Sequence, residues 1–233
     1  MLPCALPHRY NAKLLHPSTI VDPQSFAWMV DHLFDSWMSD WELIYSTDKH
    51  GRALKRMYNA CGRRQPCVLV VEATPADADV SKATTQRFGI FLPAPLQAHA
   101  RVPHIGAAAV FTLAPDNRKA YTYRAHEGGA DGLVAVFDDD YVAFGANADS
   151  TEMALQLNRD LLSVRRASLC SALTPGTLGT LTPGLQGSTS ASSLFKSPPL
   201  MRPAVEGNTA VTFTVACVEV FALVGEQLVD VGL

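Results

Sequence analysis

Four residues of this chain carry side chains that could move protons in a reaction: Glu42, His50, Asp160 and Glu219. Carboxylates and imidazoles are common general acids and bases, so an enzyme is one alternative. No nucleophile at a strained turn is indicated beside them. Our preferred interpretation is that Glu42 and Glu219 are structural and pair with Arg52, His50 or backbone donors that lock the first strand to the last.

Cysteine chemistry is the second possibility. A thiol that reacts with peroxide needs a lowered pKa and access to solvent. Cys61 and Cys217 fall on predicted apolar faces, whereas Cys67 follows two arginines that could favour its thiolate. We interpret these three as structural thiols. The full set of five is odd and scattered, which fits reduced thiols rather than a secreted disulfide framework: Cys4, Cys61, Cys67, Cys170 and Cys217.

The chain shows no spacing typical of a metal or cofactor site. Its seven histidines are dispersed, and no cysteine pair has zinc or redox spacing. Gly128 and Gly129 lack the surrounding pattern and the lysine of a phosphate loop. Residues 138–140 are three aspartates, which we interpret as a solvated turn rather than a calcium loop. We therefore expect neither a metal nor a cofactor.

Composition argues against two classes of function. The chain has 233 residues, of which 48% are hydrophobic, and a formal net charge of -3. Its mixed signs leave no basic stripe for nucleic acid, and no apolar run approaches the roughly 20 residues that span a bilayer. We expect a cytoplasmic protein. Residues 1–21 contain no acidic side chain, a faint mitochondrial-targeting pattern that makes mitochondria the less favoured location.

The elements that position the candidate residues begin with a strand at residues 41–46, where apolar and polar side chains alternate. A helix follows. Ser46, Thr47 or Asp48 can accept its free N–H groups, and its apolar residues recur at helical spacing until a glycine cap at Gly62. We expect this helix to pack on the sheet.

Many short strands and few helices predict an α+β fold, a mostly antiparallel two-sheet β-sandwich with a few flanking helices. Residues 24–39 are predicted to form a helix that covers the sheet. The clearest strand is at residues 211–223, where the odd-numbered side chains are predicted to share one face. Glu219 is the one charge in that strand, and a buried carboxylate needs a partner, for which we expect His50 or Arg52.

A longer pattern surrounds the first strand. The run W-E-L-I-Y-S-T-D-K-H-G-R-A-L-K at residues 41–55 resembles the opening motif of the TLDc domain found in oxidation-resistance proteins. The chain departs from that family at residues 106–109, where G-A-A-A replaces a GxGE-type turn. Further similar segments follow in the family's order, so that the resemblance covers about residues 14–224: F-G-I-F-L at 88–92, A-F-G at 143–145, A-L-Q-L-N-R-D-L at 154–161, F-K-S-P-P-L at 195–200 and V-E-V-F at 218–221.

The resemblance implies a non-catalytic β-sandwich module that acts in oxidative stress resistance. It also implies a protein partner, the vacuolar proton-pumping ATPase, reached from the cytoplasm at acidic-organelle membranes. Two alternatives stay open: an enzyme that uses a Glu/His site or a reactive cysteine for peroxide-related chemistry, and a trafficking or scaffold adaptor. The family-motif and candidate interaction positions are Trp41, Glu42, Ser46, Asp48, Lys49, His50, Gly51, Arg52 and Glu219.

We expect one domain at residues 14–225, between a flexible N-terminus at 1–13 and a C-terminal tail at 226–233. Residues 171–193 are rich in Thr, Pro, Gly and Ser and are predicted to be a disordered insertion. Residues 74–86 are predicted to be a flexible hairpin excursion. These two loops are natural places for contacts particular to this chain. The bound subunit, the direction of regulation and the oligomeric state are left open.

Overall fold

The computed structural model describes residues 12–33, 40–76, 85–103, 108–113, 119–123, 133–146, 155–167, 173–175 and 210–224. The predicted C-terminal tail and residues 1–11 lie outside this part of the chain. The described residues contain the helices α1 Pro23–Leu33, α2 Thr47–His50 and α3 Leu54–Cys61. Their strands are β1 Trp41–Ser46, β2 Cys67–Pro75, β3 Gln86–Leu92, β4 Arg101–Pro103, β5 Ala109–Thr112, β6 Lys119–Tyr123, β7 Leu133–Phe137, β8 Tyr141–Ala146, β9 Leu155–Asn158, β10 Ser163–Ala167, β11 Leu173–Pro175 and β12 Ala210–Leu223.

Helix α1 begins where its sequence supplies a cap. Asp22 Oδ1 accepts the Ser25 backbone N–H at 2.8 Å, and Pro23 takes the first helical position, where its missing N–H has no intrahelical acceptor to lose. Residues 34–39 of the predicted helix lie outside the described residues. The buried side of α1 consists of Ser25, Phe26, Met29 and Leu33.

The strand and the helical character predicted after residue 41 are confirmed, but the helix is divided in two. Ser46 caps α2, since its Oγ accepts the Asp48 N–H at 3.3 Å. Gly51, with φ of 77°, follows α2 after a single turn, in a conformation that residues with a Cβ rarely adopt. Helix α3 ends at the predicted cap, where the Gly62 N–H donates to the Tyr58 carbonyl at 2.9 Å.

The described strands are hydrogen-bonded into one 12-stranded sheet. Its order is β11-β6-β5-β3-β2-β12-β10-β9-β8-β7-β4, and β1 pairs with β12 beside this path. Every pair is antiparallel. The mostly antiparallel, α+β part of the prediction is therefore confirmed. The two-sheet arrangement is not, because β12 is long enough to bond to both halves and join them.

Two apolar cores lie on opposite faces of the central strands. The larger core contains residues from both ends of the strand order, such as Ile90 of β3 and Phe144 of β8, together with Met57 of α3. The sheet therefore curves so that its two ends share one core. The smaller core lies on the other face of β2 and β12, where α1 and β1 contribute side chains beside Val70 and Phe221.

Strand β12 departs from the predicted alternation at a bulge. Its register with β2 shifts between Val215 and Cys217. Phe213 and Val215 consequently join the larger core, whereas Cys217 and Phe221 join the smaller one. The prediction that the odd-numbered residues share one face throughout this strand is wrong, because one extra residue reverses the direction of every side chain beyond it.

Two predicted loops are described in part. Residues 173–175 of the insertion predicted at 171–193 form strand β11, in which Leu173 lies opposite Tyr123 of β6. Pairing with a neighbouring strand satisfies the backbone of these three residues. The rest of the insertion lies outside the described residues. Strands β2 and β3 form the expected antiparallel hairpin, and residues 77–84 between them also lie outside the described part.

Candidate interaction site

The candidate residues lie along the pair formed by the first and last strands. Ser46 lies opposite Glu219, and Leu43 lies opposite Phe221. The predicted meeting of these strands is therefore confirmed. Helix α2 follows β1 directly, so the turn at residues 46–52 lies beside the part of β12 that carries the buried acid.

This turn is held in place by its own side chains. The Tyr45 hydroxyl donates to the Gly51 carbonyl at 2.7 Å, and the Tyr45 ring stacks on His50 with 5.6 Å between centroids. The Ser46 N–H donates to His50 Nδ1 at 3.0 Å, so the neutral ring carries its proton on Nε2. Arg56 Nη1 donates to the His50 carbonyl at 2.9 Å. The imidazole is thus a fixed part of the turn.

Arg52 fastens the turn to the sheet rather than to Glu219. Its Nη1 donates to the Leu161 carbonyl at 3.2 Å and to the Val215 carbonyl at 3.0 Å, and its Nη2 donates to the Ala216 carbonyl. A planar guanidinium can reach several acceptors at once. Val215 and Ala216 lie at the bulge in β12, where the strand ladder is interrupted and carbonyls need other donors.

Glu219 is fully buried, as its place in an apolar strand suggested. A backbone donor is among its partners, as predicted, but His50 and Arg52 are not. Ser18 Oγ donates to Oε2, and the N–H and Oγ1 of Thr19 donate to Oε1 at 3.0 and 2.9 Å. These hydroxyl residues are 201 and 200 positions away along the chain. The sequence marks them only as two adjacent hydroxyl side chains, so no local pattern could have assigned this role.

Glu42 also has a different partner from the predicted Arg52 or His50. Its Oε2 pairs with Arg64 Nη1, and its Oε1 lies 3.9 Å from His16 Nε2. The carboxylate is about one-third exposed, so such a pair contributes on the order of 0–1 kcal/mol. Glu42 therefore joins β1 to the loop after α3 rather than to the last strand.

The four acid/base candidates are not brought into one group. Glu42 lies four positions before Ser46 on β1, a distance of about 13 Å at the rise of a strand. Asp160 is exposed in the β9–β10 turn, and Glu219 is enclosed by hydroxyl donors. The geometry does not provide an acid and a base on either side of a shared substrate position.

The three described cysteines are buried, free thiols. Burial raises the pKa of Cys67 to about 12, and it also raises the pKa values of Cys61 and Cys217. The Cys217 thiol accepts a hydrogen bond from Thr47 Oγ1 at 3.4 Å and donates to Asp48 Oδ2 at 3.7 Å. A protonated thiol is a weak nucleophile toward peroxide, so these three have the character of structural thiols. The other two cysteines lie outside the described residues.

Within the described ranges, no cluster of three or more His, Cys, Asp or Glu side chains could hold a metal ion. No helix in the same part of the chain has the length and apolar character needed to cross a bilayer. A groove of about 670 Å³ lies between residues 12–18 and helix α1, with Leu14 and Phe26 among its apolar walls. Its size is within the usual range of small-molecule pockets.

The turn presents a charged tripeptide to solvent. Asp48, Lys49 and His50 are all exposed. Lys49 makes no ion pair with any residue that the structure describes. The sequence motif therefore contains two kinds of residue, those that build the turn, such as Arg52, and those that the turn displays.

Comparison with protein families assigns this arrangement to a known domain. A family model described as the TLDc domain matches residues 14–224, a span that holds every described strand and the turn at 46–52. The chain belongs to the TLDc domain family. The resemblance carried by residues 41–55 and the later segments is thereby confirmed.

Relatives of this TLDc chain carry a common name. The chain is 28% identical over 158 residues to Oxidation resistance protein 1 of Xenopus tropicalis. It is 27% identical over 157 residues to Oxidation resistance protein 1 of Xenopus laevis. Each alignment covers 66% of this chain but 16% of the relative. The chain therefore spans a minor part of the relatives' length.

The departure from the TLDc pattern at residues 106–109 has a structural counterpart. Ala109, the last residue of the G-A-A-A segment, is a buried residue at the start of β5. Residues 104–107 lie outside the described part.

Proposed function

We propose that this TLDc chain is a non-catalytic module of oxidative stress resistance that acts by binding and modulating the vacuolar proton-pumping ATPase. Family membership and the name shared by its relatives support the role in oxidative stress. The choice of the pump as partner comes from the TLDc resemblance. A cytoplasmic location, with attachment to acidic organelles through the pump, is part of the proposal.

The exposed tripeptide at residues 48–50 is the observation that carries this proposal. All three residues are exposed, and Lys49 extends from a turn whose backbone is fixed through Tyr45 and Arg52. Polar residues on a rigid turn can contact a partner without losing much conformational entropy when they bind. Exposed polar residues on a fixed turn are therefore suited to binding another protein.

The described chemistry supports binding over catalysis. The acid/base candidates are separated, and Glu219 is occupied by hydrogen bonds from Ser18 and Thr19. The described thiols are buried and have raised pKa values. A peroxide-related reaction at these residues would require the chain to unfold locally first.

A pull-down from cell extract tests the proposal with a charge reversal at Lys49, which is exposed and takes no part in the Arg52 contacts that fix the turn. We expect Lys49→Glu to lower recovery of pump subunits at least about fivefold, as a loss of about 1 kcal/mol would. Arg101→Glu is the matched control, because Arg101 is exposed on β4 at one end of the strand order, whereas the turn lies beside β1 and β12 near the middle of it. It should leave recovery unchanged.

Three results would count against the proposal. Pump subunits that never co-purify with the wild-type chain would exclude this partner. Recovery of trafficking proteins alone would favour the adaptor. Peroxide turnover by the purified protein, lost with a cysteine substitution, would favour the enzyme.

A further inference from the structure

An irregular segment at residues 12–21, here called the strap, covers the outer edge of β1. The Trp41 N–H donates to the Lys13 carbonyl at 2.8 Å, and the Leu15 N–H donates to the Trp41 carbonyl at 2.8 Å. Leu14 forms an isolated parallel bridge with Trp41. β1 is bonded to β12 on its other side, so the strap occupies an edge that another strand could otherwise pair with.

The strap is bonded to β12 mainly through the carboxylate of Glu219. Both oxygens of Glu219 accept hydrogen bonds only from Ser18 and Thr19 among the described contacts. Ser18 Oγ also accepts the N–H groups of Ile20 at 3.1 Å and Val21 at 2.7 Å. The same two hydroxyl residues therefore shape the strap and hold it to β12.

This attachment is sensitive to charge at Thr19. Glu219 is fully buried and the Asp48 carboxylate lies on the other side of the Cys217 thiol, which is 3.8 Å from Thr19 Oγ1. A phosphate placed on Thr19 would remove a donor and repel both acids, because it carries about -1.5 to -2 charges at neutral pH. Thr19 itself is an exposed residue in a segment without helix or strand, so a small local movement gives an enzyme access to it.

We propose that Thr19 is a phosphorylation site, and that its modification releases the strap from Glu219 and frees the edge of β1. A protein kinase would transfer the γ-phosphoryl group of ATP to Thr19 Oγ1. The O–H bond breaks, a P–O bond forms, ADP leaves and the proton is released. This inference does not depend on which partner the chain binds.

Amide hydrogen exchange tests the release on the whole chain prepared with phosphothreonine at position 19. We expect the Leu15, Thr19 and Trp41 amides to exchange about tenfold faster or more. Each of these N–H groups donates a hydrogen bond in the closed strap, and the loss of that bond exposes the amide to solvent more often. Amides of the β2–β3 pair should not change. Phosphothreonine at position 85 is the matched control, because Thr85 is an exposed residue just before β3.

Thr19→Val separates loss of a hydrogen bond from added charge. It removes the hydroxyl donor and keeps the N–H, so its effect on the same amides should be clearly smaller than that of the phosphate. Equal exchange in the phosphorylated and unmodified chains would overturn the inference. Faster exchange throughout the sheet would also overturn it, because the phosphate would then unfold the domain. Mass spectrometry of the chain isolated from cells with phosphatases inhibited should find phosphate on Thr19, and its absence there would refute the assignment.

Discussion

Arg52→Ala tests the conclusion that this motif residue is a structural clamp. The guanidinium donates to three backbone carbonyls, those of Leu161, Val215 and Ala216. Hydrogen bonds from a charged donor contribute about 1.5–3 kcal/mol each. Arg52 is only partly buried, and water can replace part of what is lost, so we expect the free energy of unfolding to fall by about 2–3 kcal/mol.

Urea unfolding followed by circular dichroism measures this loss, provided that the slope of the transition is unchanged. Arg52→Lys should lose at least about half as much, because one ammonium group cannot reach three carbonyls in the geometry of a guanidinium. Lys49→Ala is the control and should stay within about 0.5 kcal/mol of wild type, as exposed substitutions usually do. Wild-type stability in Arg52→Ala would refute the clamp, and wild-type stability in Arg52→Lys would show that charge alone matters.

The clamp also affects how binding experiments are interpreted. A charge reversal at Arg52 would place a carboxylate among the carbonyl oxygens of Leu161 and Val215. Loss of partner binding in that variant would then reflect a displaced turn. Lys49 gives the cleaner test because its side chain is exposed and outside the clamp.

Two further predictions concern the cores. Gly89→Ala should lower the melting temperature by several degrees, because its new Cβ would lie against the Leu69 carbonyl oxygen and 2.6 Å from Phe111 Cζ, an overpacking that costs about 1–3 kcal/mol; an unchanged melting temperature would contradict this close packing. Because burial raises the pKa of Cys67 from 9.0 to about 12, the unfolded chain loses this proton first. Stability should therefore fall between pH 9 and 12 by up to about 1.4 kcal/mol per pH unit. Urea midpoints across that range should show a shallower fall in Cys67→Ala, and equal slopes would exclude this thiol as the cause.

Local patterns predicted the elements that depend on neighbouring residues. Gly62 was identifiable as a helix cap because helices commonly end at a residue with positive φ, a backbone conformation that glycine adopts more easily than other residues. The alternation from Trp41 to Ser46 marked a strand for the same local reason. The division between α2 and α3 was missed, although Gly51 stood at the break, because the apolar spacing continued beyond it.

Long-range partners could not be predicted in the same way. Glu219 was correctly expected to be buried and hydrogen-bonded, because it lies in an otherwise apolar strand and an unpaired carboxylate costs free energy when it is buried. Of the partners predicted for it, the backbone donor is present, but His50 and Arg52, which were chosen for their charge, are replaced by the hydroxyl groups of Ser18 and Thr19. The bulge in β12 was also beyond a pattern argument, because it arises from pairing with β2.

By itself, the sequence determined the family, the antiparallel α+β character and the motif that forms the turn at residues 46–52. These follow from spacing and residue type within short windows. Only the tertiary structure decided that the described strands form one curved sheet, that Arg52 binds carbonyls and that a strap holds Glu219. Each of these contacts joins residues far apart in the chain. Such contacts depend on the order and register of the strands, which are properties of the folded sheet.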